Sequence, residues 1–164
     1  MRTCGKWGAN LPPAVLVHGT CVALGGCCAL LRGMPGAGKS DLALRFLFLP
    51  AETLAARPLL VADDQVSLRR EGGSVVASCP APLAGRIEVR GAGIARISAH
   101  ASEARLSLIA DLDHAGEQPR FPQSWQWETV LGLAIRRIAL DPFELSAPVK
   151  LALALQNLLE DPAD

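Results

Sequence analysis

The apolar positions of this chain come in short runs cut by glycine pairs, a pattern that predicts strands joined by tight turns. Ala14 to Val17 reads as a short strand. Thr20 to Leu24 and Cys27 to Arg32 flank Gly25-Gly26, a two-residue hairpin signal. The second of these strands runs straight into a glycine-rich stretch. Ser40 to Leu49 then has the length and composition of a helix, stopped by Pro50. Ala51 to Arg57 reads as a loop or a fraying helical turn. Leu59 to Ala62 is an apolar strand ending on Asp63-Asp64, and Val66 to Arg70 and Val75 to Cys79 bracket a second hairpin turn at Glu71-Gly72-Gly73-Ser74. Further on, Ile87 to Ile97 predicts a strand leading into a loop, Leu106 to Leu112 a strand, His114 to Gln126 a loop, and Thr129 to Leu140 a strand with an internal Gly132. Asp141-Pro142-Phe143-Glu144 has the form of a capping box. Leu151, Leu155 and Leu158 lie at helical spacing, which predicts a C-terminal helix over Pro148 to Glu160. The sum is an α/β chain with many short strands and few helices, unlike the regular strand–helix alternation of a doubly wound fold.

Composition narrows the class. The chain has 164 residues, one domain's worth, and half of them are apolar. Lys plus Arg balances Asp plus Glu, so the net charge is zero and there is no electrostatic footprint for nucleic acid or an anionic membrane. No apolar run reaches the length of a membrane span, and Met1 to Pro13 lacks the apolar core of a signal peptide. The five Cys show no CxxC spacing, so reduced thiols in a cytoplasmic protein are expected, not a disulfide framework or a zinc site.

The chemistry starts at Gly33-Met34-Pro35-Gly36-Ala37-Gly38-Lys39-Ser40, a complete P-loop between a strand and a helix. Small residues let backbone N–H groups curl around phosphates, and a helix N-terminus faces the anion. Lys39 is expected to neutralise phosphate charge and Ser40 to hold Mg²⁺, which points to ATP-dependent phosphoryl transfer. The bland alternative is a glycine-rich turn followed by a chance Lys-Ser, and average residue usage makes that match rare. Asp63-Asp64 follows a strand as an acid near Mg²⁺ or the attacking hydroxyl would; a strand-ending Asp turn is the alternative. His18 precedes the P-loop by fifteen positions and reads as either a catalyst or a satisfied structural residue. Glu88 stands beside Gly91 and Gly93, in a loop near a ligand or in an exposed bulge.

These features, in this order, resemble the catalytic domain of HPr kinase/phosphorylase, over about Leu16 to Leu159. That family phosphorylates a serine of the phosphocarrier HPr and reverses the reaction by phosphorolysis. His18-Gly19, Val61-Ala62-Asp63-Asp64, the signature-like Ile87 to Ile94, and Ala147-Pro148-Val149-Lys150 carry the likeness. The resemblance implies a PEP-carboxykinase-like P-loop fold, ATP and Mg²⁺ as cofactors, an HPr-like phosphocarrier as partner, and a cytoplasmic homo-oligomer, in the family a hexamer. By position it implies that the P-loop and Lys39 bind nucleotide phosphates, that Ser40 and Glu88 coordinate Mg²⁺, and that His18 orients the acidic pair. One of Asp63 and Asp64 would take the seryl proton, and Arg120 would match the family's catalytic Arg. The expected layout is an N-terminal tail over 1–13, a catalytic domain over 14–160 and a tail over 161–164, the short form without the family's N-terminal domain. Two segments depart from the family: Asp113 to Gln126, and the run after Lys150, which turns directly apolar where the family has a Pro-Gly-Arg-Asn-like stretch. A small-molecule kinase or a nucleotide-sensing module on the same scaffold are the competing readings.

Overall fold

The computed structural model describes residues 13–114 and 124–159. Among them, nine strands form one sheet, two form a separate hairpin, and two α-helices cover one face. The chain enters through β1 (Val15–His18), β2 (Thr20–Leu24) and β3 (Cys27–Arg32), and the P-loop then leads into α1 (Lys39–Leu47). It continues through β4 (Leu59–Ala62), β5 (Gln65–Glu71), β6 (Ser74–Ser78) and the small hairpin β7 (Arg86–Val89) and β8 (Gly93–Arg96). The last elements are β9 (Glu103–Leu112), β10 (Gln126–Val130), β11 (Leu133–Leu140) and α2 (Ala147–Leu155).

The sheet order is β1-β5-β6-β9-β3-β2-β4, with β10 joined through β11. At ten residues, β9 is the longest strand among these. Its one edge pairs in parallel with β3. Its other edge is shared: antiparallel β6 takes Glu103 to Arg105, and parallel β11 takes Leu108 to Leu112. β2 and the centre of β3 are buried throughout, as strands covered on both faces must be. On one face Val22, Leu31, Leu108 and Leu112 pack against Leu42 and Phe46 of α1 and Leu151 of α2. On the other, Cys21, Leu30 and Ile109 meet Val66, Leu68 and Val75 of β5 and β6. The second face is covered because β1 runs into β2 and β4 into β5, so the sheet curls back on itself.

Helix α1 forms because Leu42, Ala43 and Phe46 make a fully buried stripe, while Asp41 and Arg45 pair on the solvent side at 2.9 Å. The strands and turns around Gly25-Gly26 and the Gly72-Gly73 turn stand where the apolar pattern put them. Three predicted elements differ. Ile87 to Ile97 is a hairpin, not one strand, and it folds at Arg90–Ala92 with Ala92 N–H bonded to the Val89 carbonyl at 2.9 Å. Thr129 to Leu140 is also a hairpin, turning at Leu131 and Gly132, whose φ values of 49° and 80° match a primed turn. Leucine is not a residue of such turns by preference; here it packs against the core beside Val130 and Leu133, and that burial outweighs the local cost. The C-terminal helix starts at Ala147 and ends at Leu155, because Asn157 turns left-handed (φ 54°) and Leu158 is exposed. The capping-box sequence starts a short turn of its own ahead of that helix: the Asp141 carboxylate accepts the Phe143 N–H at 2.9 Å.

A charged clamp closes the end of the sheet that carries the P-loop. Arg32, the residue before Gly33, donates to both oxygens of Asp111 (2.8 and 3.2 Å) and both of Glu128 (2.7 and 2.8 Å). Arg137 donates to Asp111 from β11. Bidentate guanidinium–carboxylate geometry on partly buried groups makes these stronger than ordinary surface pairs. Burial pushes the Asp111 carboxyl up, but the guanidiniums of Arg32 and Arg137 outweigh it and hold the group below its ordinary value; Arg32 holds Glu128 down likewise. Depressed carboxyl pKa values stabilise the fold in full above the unfolded values of 3.8 and 4.5, and that contribution is lost as pH falls through the folded values. Arg32→Met should therefore cost about 1–2 kcal/mol at neutral pH. Urea unfolding measures it, and the gap from wild type should shrink once the buffer drops below pH 4; a gap that is constant with pH would show that the clamp carries none of it.

Candidate active site

The carboxyl ends of β3, β9 and β11 lie at one end of the sheet, where open α/β sheets bind ligands. A cleft of about 480 Å³ opens there and contains His18, Gly36, Gly38, Lys39, Ser40, Asp63, Asp64 and Glu88. The topology thus gathers residues spread over seventy positions of sequence into one cavity. Of the sequence-predicted site residues, Arg120 lies outside the described residues.

The P-loop is braced by its own backbone hydrogen bonds. The Ala37 N–H bonds to the Met34 carbonyl at 3.0 Å, and the Leu42 N–H to Gly38 O at 2.8 Å opens the helix. Gly38 sits at φ 84°, where a side chain is strained, and a Cβ there would press on Pro142 at 3.3 Å. No side chain caps the start of α1, so its first N–H groups remain available to an anion. Lys39 is 8% exposed, and its Nζ bridges the loop by donating to the carbonyls of Gly33 (2.9 Å) and Met34 (3.1 Å). An ammonium has three N–H groups, so one remains to meet a phosphate oxygen.

The two adjacent aspartates have opposite environments. Asp63 is 8% exposed and fully engaged. Its Oδ1 accepts from Thr20 Oγ1 at 2.7 Å and Ser40 Oγ at 3.0 Å, and its Oδ2 accepts the Glu88 N–H at 2.9 Å. One carboxylate therefore joins β2, the P-loop helix and the β7–β8 hairpin. Asp64 is 69% exposed at its side chain and sits in the left-handed region at φ 68°, a conformation Asp tolerates. Its carbonyl accepts from the Gly19 N–H at 3.2 Å and from His18 Nδ1 at 3.0 Å, and its Oδ1 lies 3.1 Å from the same Nδ1. Both partners of Nδ1 are acceptors, so Nδ1 carries the proton and Nε2 is left without a partner among the described residues. Gly19 is needed at this corner, because a Cβ would meet the Leu31 carbonyl at 2.8 Å.

Three further residues of the site escaped the sequence reading. Thr20 is a hydroxyl at 1% exposure in an otherwise apolar strand, and a buried polar group of that kind was the available signal. Arg90 and Phe143 line the cleft only because the β7–β8 turn and the turn after β11 fold toward it. No cluster of three or more His, Cys, Asp or Glu side chains stands ready to hold a metal among the described residues. The donors that are present, a serine hydroxyl and carboxylates, are the hard oxygens Mg²⁺ takes, and that ion commonly uses one or two carboxylates with water and phosphate oxygens.

The asymmetry of the pair is measurable. Asp63→Ala strands two hydroxyls and an N–H and should lower stability by about 2–3 kcal/mol, whereas Asp64→Asn should stay within about 0.5 kcal/mol. Urea midpoints of the two variants decide this, and equal losses would refute the division.

Three comparisons bear on the chain. Residues 9–144 match the family model described as HPr Serine kinase C-terminal domain. The HPr kinase/phosphorylase of Bordetella pertussis is 36% identical over 143 residues, covering 81% of this chain and 44% of that protein. That of Clostridium botulinum (strain Eklund 17B) is 28% identical over 140 residues, covering 80% and 44%. The chain thus spans under half the length of these curated relatives. The solved structure of the Hpr(Ser) kinase/phosphatase from Coxiella burnetii superposes with a TM-score of 0.72 at 22% identity, over 88% of this chain and 95% of that one. The fold is the sheet-rich P-loop fold of that neighbour, and the chain belongs to the HPr serine kinase C-terminal domain family.

Proposed function

We propose that this protein is an ATP-dependent serine kinase whose acceptor is an HPr-like phosphocarrier protein. The observation that carries the reading is the split of the acidic pair beside a complete P-loop: Asp63 is spent on Ser40, Thr20 and the Glu88 N–H, and Asp64 lines the cleft with an exposed carboxylate held by His18. The nucleotide phosphates sit on the loop N–H groups and the remaining N–H of Lys39. Ser40 and Glu88 would hold Mg²⁺, which when bound spreads the charge of the β- and γ-phosphates. Asp64 takes the proton from the acceptor seryl Oγ; the new bond forms from Oγ to the γ-phosphorus, and the bond to the bridging oxygen breaks to leave ADP. His18 positions Asp64 by holding both its carbonyl and its Oδ1. In the reverse direction the same groups pass the phosphoryl group from phosphoserine to inorganic phosphate, giving pyrophosphate and returning the proton to Oγ. Arg120 is proposed as the catalytic Arg on the resemblance alone.

A cytoplasmic setting is supported by free thiols at all four described cysteines. A homo-oligomer, a hexamer as the resemblance implies, is supported by exposed Leu145 (95%) and Val149 (48%) at the start of α2.

Incubation with HPr, Mg²⁺ and γ-labelled ATP should place label on a serine of HPr. Asp64→Asn should lower kcat by about 10²–10⁴-fold with little change in the KM for ATP. Lys39→Ala should weaken ATP binding by roughly 10–100-fold, the worth of a charged hydrogen-bonding group. ATP turnover that requires a small metabolite and ignores HPr would overturn the assignment.

A further inference from the structure

The groups of the P-loop that suit phosphate, its N–H groups, Lys39 and Ser40, are polar, and among the cleft's lining residues no aromatic ring comes from the loop itself. Phe143 is the one phenyl ring among the residues lining the cleft, and it is 52% exposed, so a large part of its ring faces open space. The turn that carries the ring is anchored. The Phe143 backbone N–H donates to Asp141 Oδ1 at 2.9 Å, and the phenyl and His114 rings meet in a T-shaped contact at 4.9 Å between centroids and 82° between planes. His114 is in turn fixed by Asp141 at 3.0 Å. The whole turn is tied to the P-loop helix, because Arg45 of α1 donates to the carbonyls of Pro142 and, at 3.3 Å, Glu144. The tip of the ring, Cζ, lies 3.4 Å from the point a Cβ on Gly38 would occupy. An aromatic face fixed in this way, against the last glycine of a phosphate loop, binds a flat ring without first being ordered.

We infer that Phe143 is the platform on which the base of the bound nucleotide stacks, so that the turn after β11 distinguishes a nucleotide from a bare polyphosphate. This rests on the reading of the cleft as a nucleotide site. A stack of this kind accepts any base with a π-face and sets affinity more than base identity.

Calorimetric titration of wild type, Phe143→Ala and Phe143→Trp with ATP, ADP and inorganic tripolyphosphate, Mg²⁺ present throughout, tests it. Phe143→Ala should weaken ATP and ADP by about 5- to 100-fold, the range for loss of one base–aromatic stack, and leave tripolyphosphate unchanged. Phe143→Trp should keep wild-type affinity for both nucleotides. Unchanged ATP affinity in Phe143→Ala overturns the inference, as does an equal loss for ATP and tripolyphosphate, which would mean a damaged loop. So does a rise confined to the KM for the acceptor protein, which would make Phe143 part of protein docking. Wild type that binds neither ATP nor tripolyphosphate overturns the nucleotide reading itself, and this inference with it.

Discussion

The site depends on one buried carboxylate. Asp63 stands at the end of β4 and takes hydrogen bonds from the first residue of β2, from the second residue of α1 and from the backbone of β7. Three elements far apart in sequence therefore share one acceptor. A buried acid is expensive unless its lone pairs are filled, and here three donors fill them. The same bonds fix Ser40 relative to the strand end and bring the small hairpin, with Glu88 and Arg90, against the P-loop. Because Asp63 is committed to this role, Asp64 is the member of the pair whose carboxylate stays exposed at the cleft.

The second fixed point is on the opposite face of the sheet. Side chains alternate along a strand, so Arg32 follows Leu30 onto the face away from the helices, where Asp111 and Arg137 follow Ile109 and Ile135. The clamp holds the residue where β3 becomes loop, and Lys39 holds the loop from within through the Gly33 carbonyl. Two independent sets of hydrogen bonds thus hold the glycine-rich loop from outside and from within, the kind of fixed geometry that positioning chemistry relies on.

Much of this was legible in the sequence. The P-loop and the glycine-paired hairpins have local chemistry that one segment carries by itself, whereas His18 and Glu88 keep a structural alternative on spacing alone and join Asp63 and Asp64 at the site through the family resemblance. What was hidden came from through-space pairing. Nothing local distinguishes Asp63 from Asp64; the left-handed turn at Asp64 accompanies one buried and one exposed carboxylate, and the Gly19 N–H bonds to the carbonyl at that turn. The hairpin at Leu131-Gly132 was missed because a half-buried leucine there packs against the core and does not follow the turn rules. Phe143 was read as part of a helix cap, since its role as a cleft wall depends on Gly38, more than a hundred positions earlier.

The split edge of β9 has a consequence for how the chain is made. β3 takes its one remaining ladder from a strand that begins about seventy residues later, and β6 waits for that same strand, which β11 joins afterwards. The phosphate loop leaves the ribosome before that strand, together with its helix, so β3 has an open flank until Asp111 has emerged. Contacts of such long sequence separation close slowly, and an unpaired apolar strand is a template for wrong partners in the interval. A nascent chain of this family therefore passes through a vulnerable window that ends only when its longest strand is synthesised.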